Sequence, residues 1–186
     1  MEDINLIKAK DSFFVKRIKN KEDISGECDG YLIDSSEKEA RKIIASLKDK
    51  GKRKIIALMG GDDAFNRRVI ETLKINYLIS PEKNVGRSTL KQRDSGINHV
   101  VAKLAKEKGI SIVIDLLEVM ELKGRLKALR IERIIQNVKI CRRAGCSIKV
   151  ASLATNGKGI VNEKERAAFG ISLGMSSEQA RDCIKF

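Results

Sequence analysis

The chain has no tryptophan and only 4% aromatic residues, too few for the stacking platform on which single-strand binders lay successive bases. It has a single histidine, His99, which argues against the several-histidine clusters that transition-metal hydrolases recruit. The four cysteines, Cys28, Cys141, Cys146 and Cys183, form no CxxC pair. The gap between Cys141 and Cys146 has no second cluster at zinc-finger spacing, so buried free thiols are expected. No apolar run approaches the roughly 20 residues of a membrane span, and the charged start is unlike a signal peptide. The expectation is a cytoplasmic chain with no membrane partner. Phosphate and nucleophile loops of the GxGxxG, GxxxxGK[ST] and GxSxG types are also missing.

What is abundant is positive charge. Lys and Arg number 38 against 25 Asp and Glu, a net +13, and such a field draws polyanions non-specifically. A charge-rich surface also serves solubility or growth at high temperature, but enrichment of both signs does not by itself leave so large an excess. RNA or DNA is the expected partner, met through phosphate and sugar. With 186 residues and 42% hydrophobic content the chain supports one core without staples, and a single domain over residues 1–186 is expected.

Short β-branched runs alternate with longer helical patterns. Strands are expected around 4–6 and at 12–15, 31–34, 54–59, 77–80, 111–115 and 147–152. Helices are expected from the cap candidates Ser35 and Ser36 to Lys50 with Gly51 as the stop, and at 63–74, 94–108, 124–143 and 162–173. A last helix comes after Gly174, where Ser176 and Gln179 have capping-box spacing. Asp62 caps the second helix, Pro81 ends the third ladder, a basic polar loop fills 82–93, and 116–123 reads as loop.

Repeated βα units of this kind give a parallel sheet covered by helices, open or closed into a barrel. Polar residues recur where strands end, at Asp34, Ser80, Asp115 and Ser152, as on the loop face of a (β/α) barrel, and they favour closure. The expected fold is therefore α/β, a compact TIM-barrel-like (β/α) barrel with an abbreviated start, since barrels of this type typically need ~250 residues. Asp34 and Asp115 could hold magnesium, but acids at strand ends cap helices more often than they ligate metal. Gly60-Gly61-Asp62-Asp63 could cradle a phosphate, yet reads first as a tight βα connection.

The most specific segment is Ser80-Pro81-Glu82 followed by Lys91-Gln92-Arg93-Asp94-Ser95-Gly96-Ile97-Asn98-His99-Val100-Val101-Ala102-Lys103-Leu104-Ala105. It resembles the signature of ribonuclease P protein component 3, the archaeal and eukaryotic barrel subunit of the tRNA-processing ribonucleoprotein. The resemblance continues through the strand at 111–115, the helix carrying Arg130, Arg133, Asn137 and Arg142, and Leu173-Gly174-Met175 with Ala180. Residues 1–76 match in strand and helix order only, and the loop 153–159 lacks the arginine-containing pattern that relatives tend to show. The resemblance implies a TIM-barrel-like protein, related to metal-dependent phosphoesterases, that supports a catalytic RNA. That RNA, with magnesium, removes the 5′ leader of precursor tRNA. It further implies pairing with the small ferredoxin-like component 2 in a heterotetramer, no catalytic residue, and no cofactor or metal bound by the protein itself. Two other classes stay open: a free-standing metal-dependent phosphoesterase on the same barrel, and an RNA-binding assembly factor.

The candidate RNA-binding residues are Arg87, Lys91, Arg93, His99, Lys103, Arg130, Arg133 and Asn137. Asp94 reads as an N-cap that orders the preceding loop and sets Arg87, Lys91 and Arg93 near a helix start. On that helix Ile97, Val100, Val101 and Leu104 should face the sheet, leaving His99, Lys103 and Lys106 on another side. A neutral His99 imidazole bonded to a backbone carbonyl is an equal alternative. On the long helix Ile131, Ile134, Ile135 and Val138 are expected inside, with Arg130, Arg133 and Asn137 sharing a neighbouring side. That stripe suits a phosphate backbone or, alternatively, a polar network with acids at the barrel rim. Arg142 and Arg143 satisfy the last carbonyls of the helix in either case.

Overall fold

A computed structural model of the protein describes residues 3–48, 54–84 and 94–186. The β-branched runs form seven parallel strands that pair in strict sequence order, β1 to β7. They are β1 (Asp3–Asn5), β2 (Ser12–Ile18), β3 (Gly30–Ile33), β4 (Ile55–Met59), β5 (Tyr77–Ile79), β6 (Ser111–Asp115) and β7 (Ile148–Ala151). Helices α1 (Glu37–Lys48), α2 (Asp63–Thr72), α3 (His99–Glu107), α4 (Leu116–Glu121), α5 (Gly124–Ala144), α6 (Glu163–Ser172) and α7 (Ser177–Asp182) fill the crossovers and the C-terminal part. Alternation along the strands divides the core in two. Val15, Leu32, Ala57, Ile79, Val113 and Ala151 pack together inside the curved sheet. Ile33, Leu58, Leu78, Ile112 and Val150 face the helices and meet Ile43, Val69, Val101 and Ile134. The result is a nearly closed TIM-like barrel.

Most of the helices begin where a short polar side chain can take the free amides of the first turn, α5 being an exception after Lys123. Ser36 accepts from Glu39, Asp62 from Phe65, and Asn162 and Ser176 build capping boxes with Glu165 and Gln179. Three expectations are corrected. The helix placed at 94–108 starts at His99, capped by Asn98, so Asp94 is not its cap; Gly96, with φ +84°, cannot continue a right-handed helix. Val100, expected to face the sheet, consequently lies in the exposed first turn, while Val101 and Ala105 are buried. The expected loop at 116–123 holds a short helix, α4, because Asp115 ends β6 and caps the next turn by accepting from the Glu118 amide at 3.0 Å. The expected stop at Gly51 lies outside the described residues.

Closure between β7 and β1 depends on side chains, because β1 is only three residues long. Around its ends Leu153 donates to Ile4 and Leu6 to Ala154, both at 3.0 Å. Within it, Asp3 accepts the Ser152 amide at 3.1 Å and Asn5 the Ala154 amide at 3.0 Å. Further down, the Val150 amide donates to the Cys183 carbonyl at 2.8 Å, and Arg166 of α6 donates to the Val150 carbonyl at 3.0 Å. Arg166 also pairs with Asp3 at 3.2 Å, with its side chain only 2% exposed. Phe186 closes the barrel floor, edge-on to Tyr77 and under the Arg166 guanidinium. The seam is thus a ladder completed by a buried ion pair, and breaking such a pair from one side leaves an uncompensated charge. Arg166→Ala should lower stability by about 3–5 kcal/mol in urea unfolding; a loss below about 1 kcal/mol, the scale of an exposed pair, would contradict this account of the seam.

Candidate functional site

The polar residues that end the strands converge on the C-terminal mouth of the barrel, and the loop after β5 is rooted there. Ser80 turns the chain out of the sheet in the left-handed region, with φ +46°, and Pro81 donates nothing to the ladder. The loop leaves through residues 81–84 and returns through 94–98. Two buried asparagines fasten these stems. Asn66 of α2 donates to the Pro81 carbonyl at 3.0 Å and the Gly96 carbonyl at 2.9 Å, and accepts from the Gly61 amide at 2.8 Å. Asn137 of α5 donates to the Ser95 carbonyl at 2.9 Å and reaches the Glu82 carboxyl at 3.5 Å. The stems touch so closely that a Cβ on Gly96 would sit 1.9 Å from the Pro81 carbonyl oxygen. Asp94 accepts from the Gly96 amide at 3.1 Å, which turns the returning stem into the Asn98 cap of α3.

Around the stems lies a charged network. Arg130 and Lys83 both reach Glu118 at 3.2 Å, and Arg133 donates to the Glu82 carbonyl at 3.5 Å. Glu82 itself is 1% exposed. Burial pushes its carboxyl up to about 7, against its own backbone amide and Arg130, while Glu118 and Asp115 push the same way as burial. Burial likewise raises Asp115 to about 6, although the Glu118 amide, Lys83 and Arg17 pull it down. Desolvation and the facing Asp94 carboxyl raise Asp63 to about 6. On the far side of the mouth Arg17 pairs with Asp34. Asp34 and Asp115 are therefore engaged in an ion pair and a helix cap. Among the described residues no three His, Cys, Asp or Glu side chains are grouped to hold a metal.

The expected site residues fall into three groups. Arg130, Arg133 and Asn137 do share one side of α5, but that side turns into the mouth: Asn137 is 1% exposed and the Arg130 side chain 11%. Pairing with a rim acid, their alternative setting, is seen for Arg130 with Glu118, while Arg133 donates to the Glu82 main-chain carbonyl and Asn137 reaches the Glu82 carboxyl. His99 and Lys103 are exposed on α3. Arg87, Lys91 and Arg93 lie outside the described residues. Sequence reasoning misses Asn66, Glu82, Lys83 and Glu118 as members of the site. Asn66 leaves a signal, since it keeps helical phase with buried Val69 and Ile70 and is therefore a polar residue on a core face.

Three comparisons bear on this arrangement. A family model described as RNase P subunit p30 matches residues 32–185. The ribonuclease P protein component 3 of Methanococcoides burtonii is 26% identical over 133 residues, which are 72% of this chain and 52% of that protein. That of Thermococcus gammatolerans is 24% identical over 144 residues, 77% and 64% respectively. The chain thus spans about half to under two thirds of the length of these curated relatives. A chain in a cryo-EM structure of archaeal ribonuclease P with mature tRNA superposes with TM-score 0.73 at 20% identity, covering 100% of this chain and 87% of that one. An amidohydrolase crystal structure reaches TM-score 0.51 at 15% identity, covering 84% and 45%. At these identities both structures support the barrel fold.

A carboxyl held protonated by burial links stability to pH. Below 4.5, the ordinary value for a glutamate, Glu82 is protonated folded and unfolded; between 4.5 and about 7 only the unfolded chain releases the proton. Stability should therefore fall as pH rises through that window and level off above it. Glu82→Gln keeps the shape without the charge, so it should match the parent near pH 4.5 and exceed it at pH 8, by up to roughly 3 kcal/mol. Denaturation curves at the two pH values check this, and an equal loss at both would show that Glu82 is not a buried neutral acid.

Proposed function

The chain belongs to the RNase P subunit p30 family, and from that premise we propose that it is a protein subunit of archaeal ribonuclease P. In this reading it supports the catalytic RNA, with component 2, in removing the 5′ leader of precursor tRNA. The observation that carries the reading is the clamped root of a cation-bearing loop at the barrel mouth, in a chain of net charge +13. Between the clamped stems the sequence holds Arg87, Lys91 and Arg93, and beside the returning stem α3 exposes His99 and Lys103. These five are proposed to meet RNA phosphates, which position a protein without reading sequence. Arg130, Arg133 and Asn137 act from behind by holding Glu118, Glu82 and the stem carbonyl.

The chemistry in this reading belongs to the RNA with its magnesium, and the protein contributes no catalytic residue and binds no cofactor of its own. Pairing with component 2 as a heterotetramer, and action in the cytoplasm, are parts of the same proposal. No helix among the described residues is long and apolar enough to cross a membrane. A free-standing phosphoesterase is the less favoured reading, because the mouth acids Asp34 and Asp115 are engaged by Arg17 and by the Glu118 amide.

Reconstitution with ribonuclease P RNA and component 2 tests the proposal: leader removal should require the RNA, and cleavage scaling with protein alone would contradict it. Within that assay the two groups of cations should separate. Lys103→Ala should leave the melting temperature unchanged and flatten the salt dependence of RNA binding by about 0.7–0.9 for each phosphate it no longer neutralises. Arg130→Ala with Arg133→Ala should melt below the parent, because Glu118 keeps only Lys83 of its two cations and the Glu82 main-chain carbonyl loses the Arg133 donor. A double variant that melts normally while losing salt dependence would instead place these arginines on the RNA surface.

A further inference from the structure

The α5 helix ends on Gly145, whose φ of +68° lies in the left-handed region. The Gly145 amide donates to Arg142 at 3.2 Å and the Cys146 amide to Cys141 at 2.9 Å. This pair of bonds reverses the chain and brings the side chains before and after the reversal into contact, usually as an apolar pair. Here both are cysteines. The 2.9 Å backbone bond holds the two cysteines side by side across the turn, with the Cys146 thiol donating to the Ser147 and Ile110 carbonyls at 3.6 and 3.8 Å. Both are buried, at 0% and 5% exposure, yet both line one cavity of about 270 Å³ together with Arg142, Ser176, Gln179 and Asp182. Neither is in a disulfide.

The surroundings make the two sulfurs unequal. Lys106 of α3 reaches across the turn, its Nζ lying 2.8 Å from where a Cβ on Gly145 would stand. The adjacent Cys141 thiol first, then the Ile112 amide and the Lys106 ammonium, hold Cys146 below the ordinary thiol range against burial. The Cys146 thiol beside it and burial hold Cys141 well above it. A low thiol beside a resolving cysteine is the arrangement that peroxide-sensing pairs require.

We infer that Cys141 and Cys146 are a reversible redox modification site, at which peroxide joins the neighbouring thiols into a disulfide across the turn between α5 and β7. The Cys146 thiolate attacks one oxygen of hydrogen peroxide, the O–O bond breaks, and the departing hydroxide takes a proton to leave as water. Cys146 then carries a sulfenic S–OH. The Cys141 sulfur attacks it, the S–O bond breaks, and the hydroxyl leaves as a second water with the Cys141 proton. Two thiols lose two electrons and one peroxide gains them. A disulfide needs Cα atoms within about 7 Å, which two residues joined by a 2.9 Å backbone bond across a helix-ending turn and lining one cavity satisfy. A low-molecular-weight thiol reverses the step by exchange.

The test uses the full chain, folded, exposed to hydrogen peroxide and then alkylated. Arg142 and Arg143 lie between the two cysteines, so trypsin separates them into peptides that stay joined only by the disulfide. The expected product is that joined pair, two hydrogens lighter than the reduced peptides and lost on adding dithiothreitol. Cys183, which burial raises to about 11, should remain alkylatable after the pair has reacted. Cys141→Ser should trap Cys146 as a sulfenic acid that dimedone labels, and Lys106→Gln should shift the pH profile of oxidation upward. A joined peptide that forms only in urea would overturn the inference, as would Cys183 reacting first in the folded chain. Labelling of Cys146 at the same rate and pH profile without Lys106 would remove Lys106 from the account.

Discussion

Two buried carboxamides let a loop leave the barrel wall and return to it. A loop root that leaves a parallel strand has backbone groups with no ladder to join, and unpaired groups buried at the mouth each cost the full desolvation penalty. Asn66 meets this need from α2 and Asn137 from α5, so neighbouring helices supply the hydrogen bonds that the ended strand cannot. Both are neutral, and a neutral clamp is not screened by salt as an ion pair is. The stems of a cation-bearing loop are thus fixed by bonds that do not compete with a polyanion for charge.

The barrel has two kinds of closure. At the seam a buried ion pair, Arg166 with Asp3, completes a ladder that the short β1 cannot. At the mouth the network is less saturated. Among the described residues the buried polar atoms without a hydrogen-bond partner are Glu82 Oε1, Glu118 Oε2, Arg130 Nη1 and Asn137 Oδ1 at the mouth, against Arg166 Nε alone at the seam. Low saturation and raised carboxyl groups make this end of the barrel responsive to protonation, whereas the seam and floor are built for stability. That division agrees with a fold whose working face is the C-terminal end of its strands.

The positions of the strands and most helix starts are legible in the sequence because they are set locally. Period-two runs, Asp62, Ser176 and the Gly145 stop each act within a few residues of where they stand. The start of α3 reads too early because Asp94 and Asn98 are both competent caps, and the choice between them is made by Gly96 pressed against Pro81, a contact between the two stems. The arginines at 130 and 133 are legible as one stripe but not in their direction. Helical spacing fixes which residues share a side, while the acid that Arg130 meets, Glu118, sits on a short helix that a six-residue run does not announce. Asn66 and Glu82 stay hidden for the same reason, since their partners come from other units of the barrel.

The central proposal is that Arg87, Lys91 and Arg93, held in the sequence between the two clamped stems, meet RNA. A thermodynamic cycle on RNA affinity tests it, combining Asn137→Ala with replacement of Arg87, Lys91 and Arg93 by alanine in the folded chain. If the clamp works through the loop, Asn137→Ala should weaken RNA binding in the parent and have no further effect once the three cations are gone. Equal losses in both backgrounds, or no loss in the parent, would contradict the account.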